Sequence, residues 1–142
     1  MSTQVWIAAS LCLVIHLGFF TLEAVLFPQR TANFKAVEPA GELEIFIFSK
    51  EGRDNAKSLR VFAFNMGCYN LLLAVGVGYC LAISSRFPKE AATLLGYICF
   101  VMFAAGIVLG VTASWLWPAA LAQSGVAFIC LVLLRFLPAV LK

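Results

Sequence analysis

Four stretches of this chain are each long and apolar enough to cross a lipid bilayer, and that property decides which folds are open to it. A spanning helix needs about 20 mostly apolar residues, and the runs at 5–27, 60–83, 91–114 and 119–141 meet that requirement. A backbone inside lipid has to satisfy its own N–H and C=O groups, so each run must be helical. The predicted fold is all-α, a four-transmembrane-helix bundle. It forms a single integral membrane domain over 1–142, with a long polar loop at 28–59 and both termini on the same side. The first run is expected to be a retained span. No base precedes it, its apolar stretch is longer than a signal h-region, and no small-residue cleavage site comes after it.

Charge placement supports this multi-pass reading. Only 12% of the 142 residues are charged and 63% are hydrophobic, whereas soluble domains are about a quarter charged. Five of the seven acids and six of the ten bases fall between Arg30 and Arg60, which leaves long apolar stretches on either side. The net charge of +3 comes from bases mixed with acids, so there is no nucleic-acid footprint. Membrane lipids, through anionic headgroups, account for the excess. Arg86, Lys89, Arg135 and Lys142 on the side of the termini offset the six bases between Arg30 and Arg60, so counting bases does not select an orientation. Arg135 is close enough to a helix end to snorkel.

Several features have ordinary structural readings. Cys12, Cys68, Cys80, Cys99 and Cys130 all fall within the spans without paired spacing, and serve as small apolar filler. Trp6, Trp115 and Trp117 fit the aromatic belts of a membrane interface. Gly106, Gly110 and Ser114, and on the second span Gly67, Ala74 and Gly78, form small-residue faces that let helix backbones approach. The run at 42–48 in the long loop is too short to span, and reads as an interfacial segment or a lid over the bundle mouth.

The residues needing explanation are His16 and Glu23 in the first span, Asn65, Tyr69 and Asn70 in the second, Thr112 closing the third and Gln123 opening the fourth. An intramembrane carboxylate costs about 2.5–3.5 kcal/mol on insertion scales, which makes Glu23 a functional candidate by default. Seven residues separate it from His16, nearly two α-helical turns, so both are expected on one face with about 10 Å of rise between them. Counting depths along the antiparallel second span pairs His16 with Asn70 near the midplane and Glu23 with Asn65 nearer the loop. Gln123 and Thr112 fall in that same half of the bilayer. An apolar setting disfavours the charged form of an acid and of an imidazole alike. Glu23 and His16 therefore suit general acid–base work, with Asn65, Asn70, Tyr69, Gln123 and Thr112 as substrate-binding candidates.

The amides also suit a second use, as interhelical hydrogen bonds that fix register. Thr112 can bond back to its own helix, and Tyr69 can be a packed ring whose hydroxyl finds a partner. No metal is expected, because one histidine and one intramembrane carboxylate make a poor ligand set. Two-histidine haem ligation would need a second chain, and no phosphate-cradling loop, nucleophile elbow or HExxH stretch occurs.

The run His16-Leu17-Gly18-Phe19-Phe20-Thr21-Leu22-Glu23, together with Asn65-Met66-Gly67-Cys68-Tyr69-Asn70-Leu71-Leu72-Leu73-Ala74-Val75-Gly76, resembles the small bacterial and fungal membrane family catalogued as domain of unknown function number 1304. The glycine-rich third span ending near Thr112, and Gln123 after it, extend the resemblance over most of the chain. It implies four spans, with a histidine and a glutamate at this spacing and then an Asn-x-Gly-x-Tyr-Asn run. It supplies no reaction. The family pattern often has a glutamate immediately before the histidine, where this chain has Ile15, and a glutamine where it has Met66. The charged loop is a further elaboration, as expected of a specialised relative.

The leading expectation is an intramembrane acid–base enzyme, without cofactor, acting on a lipophilic small molecule as an isomerase, epoxide-opening enzyme or cyclase. A proton-linked small carrier working as half of a homodimer is the alternative, and an accessory subunit of a larger membrane complex is a third.

Overall fold

The computed structural model describes residues 1–26, 56–113 and 116–136. Helix α1 covers Thr3–Phe20 and continues into a six-residue π-helix, Thr21–Leu26; α2 covers Ala56–Ile83, α3 Pro88–Thr112 and α4 Trp117–Phe136. No strand occurs among the described residues. The segments Thr3–Leu26, Val61–Ile83, Pro88–Thr112 and Trp117–Arg135 are each long and apolar enough to cross a membrane. The chain is thus all-α, with four membrane-length helices, as the apolar runs require. The run at 42–48, most of the long loop, Ser114 and Trp115 lie outside the described residues.

The helix starts differ from the sequence expectation in a consistent way. α3 opens at Pro88, with Lys89 and Glu90 in its first turn, and α4 opens at Trp117 with Pro118 second. Proline has a fixed φ and no N–H to lose in a first turn, so it starts a helix more readily than it belongs to the connection before it. Treating those prolines and charges as loop starts both helices two or three residues too late. At the other end of α3 the Ala113 N–H closes the last turn on the Leu109 carbonyl at 2.9 Å.

Contacts divide the chain into two units, Met1–Leu17 with Leu71–Lys142, and Gly18–Asn70. In the first, each helix buries one stripe at three- and four-residue spacing. The stripes are Val5, Ala8, Ala9, Cys12 and His16 on α1; Ala74, Val77, Leu81 and Ser84 on α2 and the turn after it; Ala91, Leu95, Ile98, Met102 and Gly106 on α3; and Ala120, Gln123, Ala127 and Cys130 on α4. Such a stripe is the footprint of 3.6 residues per turn. Its composition is that of a membrane bundle: small side chains fill much of the interior, while Ile7, Leu72, Tyr97, Phe100 and Phe128 are exposed. With lipid as apolar as leucine, close backbone approach and dispersion replace the hydrophobic effect as the source of cohesion.

The α3 to α4 contact illustrates that cohesion. A methyl group built on Gly106 would lie 2.7 Å from the Ser124 Cβ, 2.8 Å from its N and 3.0 Å from the Ala120 carbonyl oxygen. The Ser124 hydroxyl donates to that same carbonyl at 2.7 Å, and the Phe103 and Phe128 rings pack at 5.4 Å between centroids. Cys12, Cys80, Cys99 and Cys130 are buried, one on each helix, and all five cysteines are free thiols. Four of the five are buried filler, as the sequence indicates.

Candidate functional site around Glu23 and Asn70

The second unit contains the polar contact that matters most. The Asn70 side-chain amide donates through Nδ2 to Glu23 Oε2 at 2.8 Å, across 47 residues of sequence. Asn70 is buried and Glu23 half-buried. An acceptor role is open both to an ionised carboxylate and to the carbonyl oxygen of the neutral acid. The bond therefore holds one carboxyl oxygen in place through a change of protonation, and the other oxygen can exchange a proton. A fixed, partly sheltered carboxyl of this kind is what general acid–base chemistry requires.

This contact corrects the pairing expected from depth. Depth counting sets Glu23 opposite Asn65, but Glu23 bonds Asn70. Asn65 and Asn70 are five residues apart on an α-helix, hence about 140° apart around its axis, and cannot both face one partner. Asn65 is accordingly exposed, and so is Tyr69, at 62%. Depth alone ignores this rotation. The expectation that His16 and Glu23 share a face rests on regular α-helical stepping. It assumes unbroken α-helix, whereas Glu23 lies within the π segment, whose i→i+5 bonds widen the turn and end the 100° stepping. Single π turns of this sort occur frequently at functional sites, and nothing in Thr21-Leu22-Glu23-Ala24-Val25-Leu26 signals one in advance.

The remaining candidates lie in the first unit. His16 is 1% exposed, and its Nδ1 is 2.9 Å from the Cys12 carbonyl oxygen one turn earlier. A carbonyl can only accept, so Nδ1 carries hydrogen and donates, which makes Nε2 the basic nitrogen of the neutral ring. Gln123 is buried on α4. Thr112 is exposed, and its hydroxyl donates to the Val108 carbonyl at 2.8 Å, the local back-bonding open to any helical threonine. Among the described residues, no group of three or more His, Cys, Asp or Glu side chains could hold a metal ion.

Fold and site together define a small polytopic helical protein with a hydrogen-bonded carboxyl in its first membrane-length segment. The family described as "Protein of unknown function (DUF1304)" matches residues 10–135, and the chain belongs to it. No curated protein and no solved structure matches the chain.

Proposed function

We propose that the protein is an intramembrane acid–base enzyme that acts, without a cofactor, on a lipophilic small molecule, through an isomerisation, epoxide opening or cyclisation. Glu23 is the proton-transferring group, held by Asn70, and His16, with Nε2 as its basic nitrogen, is the second acid–base candidate from the sequence. Asn65, Tyr69, Gln123 and Thr112 are the substrate-binding candidates from the sequence. Of these, Gln123 is favoured by its burial and Thr112 is disfavoured by its bond to its own helix. The observation that carries the reading is the 2.8 Å bond from Asn70 to Glu23. An ionisable group at membrane depth is costly, and a neutral side chain would serve as well if only helix register were at stake.

The test uses protein reconstituted in liposomes with lipophiles recovered from its own purification. Glu23→Gln keeps an acceptor oxygen for Asn70 and so keeps the fold, but it cannot exchange a proton. Turnover should be abolished in this variant. Unchanged turnover with folded protein would refute the assignment.

The second reading, a proton-linked carrier, is favoured by the half-buried position of Glu23, which leaves the carboxyl able to load and release a proton. Flux into liposomes that tracks an imposed pH gradient, with no chemical change in the transported molecule, would select it over catalysis.

A further inference from the structure

We infer that Gly67 is a positioning residue for Glu23: the absence of a side chain there lets α2 approach the π segment closely enough for Asn70 to reach the carboxyl. This rests on the reading of Glu23 as the reactive group, and names what sets its geometry. A methyl group built on Gly67 would lie 2.7 Å from the Ala24 Cβ, 2.9 Å from the Ala24 N and 3.3 Å from its Cα. Two of the three atoms are backbone and the third is a Cβ, so no side-chain rotation relieves the clash. Ala24 adjoins Glu23 within the π segment, and Gly67 precedes Asn70 by three residues, placing the two on neighbouring positions of one α2 face. The contact and the hydrogen bond therefore sit side by side on the same two elements.

The magnitudes are sufficient. Ordinary contact for a Cβ begins at 3.4 Å, so an added methyl has to move Ala24 by about 0.7 Å, given the usual contact distances. The Asn70 bond is 2.8 Å long, and the same displacement along it gives about 3.5 Å, outside the roughly 2.7–3.2 Å range of N–H···O hydrogen bonds. Gly18 belongs to the same unit, and a methyl built there meets nothing within 4 Å. Of these two glycines, only Gly67 makes a close approach.

The experiment reads the side-chain amide signal of Asn70 by 15N–1H NMR on the full chain in micelles, identified by its loss in Asn70→Ala. Glu23→Ala moves this signal to its unbonded position. Gly67→Ala should move it to the same place, and Gly18→Ala should leave it at the wild-type position. An unmoved signal in Gly67→Ala, or an equal shift in Gly18→Ala, overturns the inference. Should Gly67→Ala fail to accumulate folded, Ala24→Val presses on the same contact from the other side. It must then give the same shift, and an unmoved signal is again the contrary result. No catalysis enters these readings. Intact turnover in a variant whose Asn70 signal has moved would count against the enzyme assignment while leaving the positioning role standing.

Discussion

Removing either member of the Glu23 and Asn70 pair leaves a polar atom of the other without its partner. A buried group stranded in this way costs about 1–3 kcal/mol, although interhelical hydrogen bonds in membrane proteins average nearer 0.6 kcal/mol because the separated helices find other partners. Asn70→Ala should accordingly lower thermal stability in detergent by only about 1 kcal/mol, but reduce turnover by far more, because the carboxyl loses its orientation. A loss of stability with turnover intact would return the pair to a purely structural role. Thr112→Val removes a hydroxyl that bonds its own helix, and should change neither stability nor turnover measurably. At this scale the sequence is informative about cost and silent about rotation. Glu23 stands out because a charge in lipid is expensive, whereas choosing between Asn65 and Asn70 needs the angle about α2 as well as the depth along it.

Helix packing depends on glycine positions, and these divide sharply. Gly106→Ala places a methyl 2.8 Å from the Ser124 N and 3.0 Å from a carbonyl oxygen, and overpacking of this kind costs about 1–3 kcal/mol. Gly18→Ala enters open space, and the higher helix propensity of alanine should make it neutral or stabilising by up to about 1 kcal/mol. Thermal unfolding of the two variants side by side tests this, and equal effects would show that α3 and α4 do not meet at Gly106. The stripe through Gly106 is visible in the sequence because small residues recur every fourth position. The small-residue face through Gly67 is visible as well, but its partner is not, because Ala24 is offered by a π segment with no compositional signature. Helix starts are misread wherever proline and charge are assigned to loop, as at Pro88 and Pro118, although both prolines are at home in a first turn.

On the scale of the whole molecule, lipid as solvent inverts the arrangement of a soluble protein, with small residues and thiols inside and large apolar side chains outside. That inversion predicts the reactivity of the thiols. Cys12, Cys80, Cys99 and Cys130 are buried and Cys68 is half-buried. Native protein in detergent should take up one maleimide rapidly, at Cys68, and the other four only on denaturation, as counted by intact mass. Rapid modification of several thiols would mean that the described core is not closed. The class of fold is legible because spans of membrane length leave few alternatives, while the reaction is not, because acid–base chemistry leaves no motif beyond the groups themselves. The most direct test of the central claim is incubation in D2O of the reconstituted protein with the lipophile that co-purifies with it, and then mass measurement of the extracted molecule. The wild type should transfer solvent-derived mass to the lipophile, as deuterium at carbon or as water across an epoxide, and Glu23→Gln should not. An unaltered lipophile in the wild type, or the same gain in both proteins, would contradict the assignment of Glu23 as the proton-transferring group.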